Sequence, residues 1–228
     1  MNEDRPPVTL LSDSGAGPFW DEPPSTFLDE DLSLAERTYL AVLREWGLSV
    51  EFGDRHSLGH SARVAERAAA LSARLGANEQ LQTTIRVGAY LQDVGRMRVA
   101  TEILAKQGPL THVETEIVRM IPVYGTEVLS KVKLPWNVSP IVRWHNERHD
   151  GTGYPDGLCG REIPMAAQIV GIANVYDAMT STRPQRPAFS PRRALRELAS
   201  CRHWWSDDVF DVFLELAGAT YSVSLRLA

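Results

Sequence analysis

Cysteine is scarce in this chain: Cys159 and Cys201 are the only two among 228 residues. Two thiols cannot build a disulfide framework or a four-thiolate zinc site, and a reducing cytoplasm is the compartment they imply. No apolar run approaches the ~20 residues that span a bilayer. Met1 to Leu11 also lack the basic start and apolar core of a secretory signal. The expectation is a soluble, cytoplasmic protein with no membrane segment. A basic excess is missing as well. The net charge is −5, and residues 1–36 hold nine acids against the single base Arg5, which leaves 23 bases against 20 acids in the remainder. So nearly neutral a body excludes nucleic acid as the default partner, because sequence-independent affinity comes from a clustered basic surface. Runs that alternate apolar and polar residues are absent too, which argues against a sheet.

What is present is an acidic leader followed by helical texture. Residues 1–32 are rich in Pro, Gly, Ser and acids, with scattered Phe19, Trp20 and Phe27, too little to bury in a core. They read as a disordered or docking leader before a helical domain over 33–228. Ser33 and Glu36 have the spacing of a capping box, and a first helix should run to about Trp46. Its Leu40, Val42 and Leu43 suit packing either on the same bundle or on a second copy, so the oligomeric state stays open.

Val64, Ala68, Leu71 and Leu75 form the stripe of a second helix, which Gly76 stops. Leu81, Ile85, Val87 and Leu91 mark a third. A fourth, over about 113–131, should kink at Pro122. Another begins near Pro140 and runs through His145. The stretch HDGTGYPDGLCGREIP at 149–164 is dense enough in Gly, Asp and Pro to be a loop. Beyond it lie an apolar helix over about 165–179 and two more over about 191–199 and 207–216. The fold class is all-α.

Chemistry is signalled by histidines that cluster with acids rather than by any one of the six. His60 opens a helix, Asp93 sits in LQDVGR, and His145 and His149 stand four apart with Glu147 and Asp150 nearby. An i,i+4 pair can share a helix face and a metal, but His149 adjoins the Gly-rich loop, which ends helices, so the pair alone is weak evidence.

These residues resemble an HD-GYP domain, the cyclic di-GMP phosphodiesterase subgroup of the all-helical HD superfamily. The most specific piece is HDGTGYPDGLCGREIP. HSARVAERA at 60–68, LQDVGR at 91–96, ILAKQGPLT at 103–111 and ANVYDAMTSTRPQR at 173–186 follow in the family's order. The resemblance implies two or three metal ions, usually iron or manganese, held by histidines and aspartates. Such ions lower the pKa of a bound water that attacks the phosphodiester and neutralise the phosphoryl oxygens.

The departures from the pattern fall on the ligands that the resemblance implies. Gln92 stands at the His of the His-Asp pair, Ile121 at a lone His, Asn146 at the second His of His-His-Glu, and Asn174 at an Asp. His60, Asp93 and His145 remain. Neutral amides are poor donors to transition ions and add no charge, so a dinuclear centre would be under-compensated. The expectation is no cofactor, or one weakly held iron or manganese ion on His60, Asp93 and His145, with His149 as a possible substitute ligand.

Arg96, Lys106, Arg183 and Arg186 match basic positions of the family and are candidate phosphate contacts. Arg96 has a structural reading besides, as an ion pair with Asp93. The loop residues Gly153, Tyr154 and Pro155 either close the fold or contact signalling proteins, notably diguanylate cyclase domains. Three functions follow: a degenerate, non-hydrolytic module in cyclic di-GMP-type signalling, a divergent metal-dependent cyclic di-GMP phosphodiesterase, or a metal-free cyclic nucleotide receptor.

Overall fold

Ser33 begins the first helix as its spacing predicts: its hydroxyl accepts from the Glu36 N–H, and the Glu36 carboxylate accepts from the Ser33 N–H at 3.0 Å. The computed structural model describes residues 8–10, 33–51, 59–182 and 186–221. Helix α1 spans Leu34–Val50, α2 His60–Arg74, α3 Glu79–Leu91 and α4 Thr101–Leu104. Then come α5 His112–Arg119, α6 Ile121–Leu129, α7 Ser139–Trp144, α8 Met165–Thr180, α9 Pro191–Ser200 and α10 Asp207–Leu216. Among the described residues the remaining regular structure is short helical turns and one antiparallel pair, β1 Val8–Leu10 with β2 Ala219–Tyr221, in register Thr9 to Thr220.

Of the leader expected to be disordered, only residues 8–10 are among the described residues, paired with 219–221. Three residues are too few for an alternating pattern to register, whereas Val and Thr favour strands once a partner is supplied. The rest of the leader lies outside the described residues, as does Arg183. The helix expected over 113–131 is two helices: Met120 ends α5, and Pro122 sits in the first turn of α6, where its missing N–H costs nothing, so it starts a helix rather than kinking one. Helix α1 runs one turn further than expected. It buries Leu43 and leaves Val42 61% exposed.

Helix α8 is the axis of the main core. Its Ile169, Val170, Ile172, Ala173 and Tyr176 pack against Val64, Ala68 and Leu71 of α2, Ile85 of α3, Leu195 and Leu198 of α9, and Phe210 and Phe213 of α10. Each buried side chain of this size contributes roughly 1.5–3 kcal/mol. A second cluster joins Leu43, Val87, Leu91, Val94, Leu129, Trp136 and Val142. Helix α3 thus faces both clusters, and the turn that follows it, carrying Gln92 and Asp93, is held from both sides.

Gly95 brings that turn against α6. A Cβ there would collide with the carbonyl of Ile121 and the backbone of Gly125, so only glycine permits the contact.

Candidate functional site

His60, Arg63 and Arg67 recur at three and four residues along α2, which puts them on one face. All three reach Asp177 on α8. Its carboxylate accepts from His60 Nδ1 at 2.7 Å and from Arg63 Nε at 2.7 Å, and it also pairs with Arg67. Asp177 is completely buried. Burial alone would push its carboxyl upward, but hydrogen bonds from His60 and Arg63 and the neighbouring positive charge hold it well below the usual carboxylate range. The sequence reading did not single out this carboxylate or the two arginines. The available signals were a lone acid in an otherwise apolar helix and the cationic stripe on α2.

The backbone around His60 is held by Glu51, a buried carboxylate that accepts from the N–H groups of Gly59 and Ser61, each at 2.6 Å. With Nδ1 committed to Asp177, the other ring nitrogen of His60 faces Gln92, whose amide nitrogen lies 3.3 Å away. Gln92 is fully buried, and its Oε1 has no hydrogen-bond partner among the described residues.

His145 caps the C-terminus of α7 and is 3% exposed. Helix α7 ends at Trp144, before His149, so His145 and His149 do not share a helix face; the His149 N–H donates to the Trp204 carbonyl. The His145 Nδ1 lies 3.1 Å from the Val142 carbonyl and its Nε2 3.0 Å from the Asn146 amide nitrogen. Burial pushes the imidazole pKa down, more than nearby Asp93 raises it.

Asp93 lies 3.8 Å from Arg96, the ion pair weighed for that arginine. Ile121 is buried, and Asn174 is half-buried on α8 one turn before Asp177.

Lys106 and Arg186 are engaged with protein groups. Lys106 pairs with Glu114 at 2.6 Å and pulls that carboxyl down to about 2. Arg186 donates to the carbonyls of Ala178 and Met179 at the end of α8 and lies over the Phe189 ring.

The loop over 149–164 is tied from beneath. Glu147, buried, accepts from the N–H groups of Asp156, Gly157 and Leu158 at 2.7, 3.1 and 3.1 Å. Asp156 in turn accepts from Arg143 Nε and Trp144 Nε1. Gly153 passes so close to the backbone of Glu147 and Arg148 that a Cβ would clash. Burial, with Asp93 nearby, pushes the Tyr154 hydroxyl pKa up, and Arg119 lies over the Tyr154 ring.

Of the positions that the resemblance assigns to metal ligands, His60, Asp93 and His145 keep donor side chains. Among the described residues no three His, Cys, Asp or Glu side chains gather where they could hold an ion. At Gln92, Ile121, Asn146 and Asn174 there are three neutral amides and one hydrocarbon, and amides are weak donors that bring no negative charge.

Fold and loop together define a helical HD-type protein. The HD domain family model matches residues 50–208, and the chain belongs to that family, in its HD-GYP branch. It is 34% identical over 178 residues to a cyclic di-GMP phosphodiesterase of Thermotoga maritima, covering 77% of this chain and 48% of that protein. The cyclic di-GMP phosphodiesterase response regulator RpfG of Xanthomonas campestris is 34% identical over 68% of this chain and 41% of its own length. The chain thus spans less than half the length of these curated relatives. In fold it is similar to an HDGYP protein from Bdellovibrio bacteriovorus, with a TM-score of 0.59 at 17% identity over 79% of this chain and 64% of that one. No helix among the described residues is long and apolar enough to cross a membrane.

Proposed function

We propose that the chain is a non-hydrolytic regulatory or protein-interaction module in cyclic di-GMP-type signalling. The observation that carries this reading is the donor set. Where hydrolysis needs several anionic or imidazole ligands around a bridging hydroxide, this site offers one partly paired carboxylate, Asp93, and two imidazoles whose inner nitrogens face amides. The loop around Gly153, Tyr154 and Pro155 is the proposed contact surface. Its backbone is pinned by Glu147 and Asp156, which preorganises it for a partner. A diguanylate cyclase domain is the partner class proposed.

A second reading has direct support of another kind: the relatives are themselves named as phosphodiesterases of cyclic di-GMP or 3′3′-cGAMP. Under it the chain hydrolyses a cyclic dinucleotide through an ion recruited to His60, Asp93 and His145. Under the metal-free receptor reading, Lys106 and Arg186 would contact a phosphodiester in exchange for the protein groups they hold, Glu114 and the carbonyls of Ala178 and Met179.

The test is incubation with cyclic di-GMP and 3′3′-cGAMP with manganese or iron supplied, beside a binding assay against a diguanylate cyclase domain. Absence of linear product, together with binding that Tyr154→Ala weakens, supports the module. Metal-dependent product formation establishes the phosphodiesterase reading instead.

A further inference from the structure

We propose that Gln92 and Asn146 are hydrogen-bonding substitutes for metal ions, each donating an amide N–H to the imidazole lone pair that an ion would otherwise take. The inference rests on the non-hydrolytic reading of the same site.

Two independent imidazoles show one pattern. His60 commits Nδ1–H to the Asp177 carboxylate, and His145 commits Nδ1–H to the Val142 carbonyl. Both therefore hold the tautomer whose Nε2 carries a lone pair, the form a metal ligand requires. Each Nε2 then meets a side-chain amide nitrogen, Gln92 at 3.3 Å and Asn146 at 3.0 Å. The two amides come from different elements, one after α3 and one after α7. Both stand where the family resemblance expects a metal-ligating histidine.

The physical reason is the cost of an unmet acceptor. Histidines 60 and 145 are nearly buried, and a buried lone pair without a donor is unfavourable. Removing the ions leaves two such lone pairs. An ionised carboxylate cannot donate, and a lysine would bring an unpaired charge into a buried space. A carboxamide donates without charge. The Gln92 Oε1, without a partner among the described residues, agrees with this: the amide is oriented by what His60 needs, at the expense of its own oxygen. An ion entering this site must displace both donors.

The test uses the full chain, labelled with nitrogen-15, and observes the ring nitrogens of His60 and His145 by NMR as Mn2+ is added. Both histidines should show Nδ1–H with a hydrogen-bonded Nε2 acceptor, and stoichiometric Mn2+ should leave both signals sharp. In Gln92→His/Asn146→His, which exchanges two donors for two acceptors, the same signals should broaden and Mn2+ should bind at least ~10-fold more tightly. An Nε2–H tautomer at either histidine overturns the proposal, and so does broadening of the wild-type signals by equimolar Mn2+. The wild-type spectra decide the matter even if the double variant does not fold. Failure here is distinguishable from failure of the functional reading, which shows as cyclic dinucleotide hydrolysis.

Discussion

The Asp177 carboxylate receives Nδ1 of His60 at 2.7 Å in the fully buried space between α2 and α8. Arg63 and Arg67 close on the same carboxylate from the same helix face, so one acid compensates two guanidinium groups and orients an imidazole.

Asp177→Asn keeps the shape and removes the charge. Breaking a buried pair by deleting one partner leaves uncompensated charge, and the expected loss is about 3–5 kcal/mol, which lowers the melting temperature by on the order of 10 °C in a domain of this size. Arg63 is partly exposed, so Arg63→Ala should cost less than Arg67→Ala. Thermal unfolding of the three variants checks the order.

The same carboxylate sets a pH dependence. Its folded-state pKa lies below its unfolded one, so the folded state binds fewer protons. The stabilisation is complete above the ordinary carboxylate range and is lost as pH falls below about 4. Denaturant melts taken downward from pH 6 should show stability falling in wild type and a flatter profile in Asp177→Asn.

Arg186 and Lys106 should behave differently. Arg186 holds carbonyls at the end of α8, and Arg186→Ala should destabilise the domain by ~1.5–3 kcal/mol. Lys106 makes a partly exposed, single-contact pair with Glu114, and such pairs near the surface contribute little. Lys106→Ala should melt within error of wild type. Calorimetric melting separates the two.

Much of this was legible in the sequence. The stripe on α2, the capping box at Ser33, the apolar α8 and the loop at 149–164 all follow from spacing and turn chemistry, because those patterns are local. Asp177 is not legible this way because its partners lie more than a hundred residues away, and Asn174, three positions before it, is the departure from the family pattern on that helix. The contacts of Arg186 are hidden for a similar reason, since no local pattern tells that a cation will meet carbonyl oxygens of the preceding helix. Gln92 and Asn146 were legible as losses. Their gain, a donor aimed at an imidazole, needs the geometry.

The loop yields a further expectation. Glu147 accepts from three consecutive N–H groups, so Glu147→Gln should speed amide exchange at Asp156, Gly157 and Leu158 at least ~10-fold relative to wild type. Exchange within α8 should stay unchanged. Gly153→Ala, which drives a methyl into the backbone of Glu147 and Arg148, should loosen the same three amides.

The central claim, that this HD-type site works without a dinuclear metal centre, is tested most directly by the metal content of protein purified without chelators, measured beside cyclic di-GMP hydrolysis with manganese or iron supplied. The account predicts well under ~0.1 ion per chain and no linear product. About two ions per chain, with turnover that His60→Ala abolishes, would contradict it.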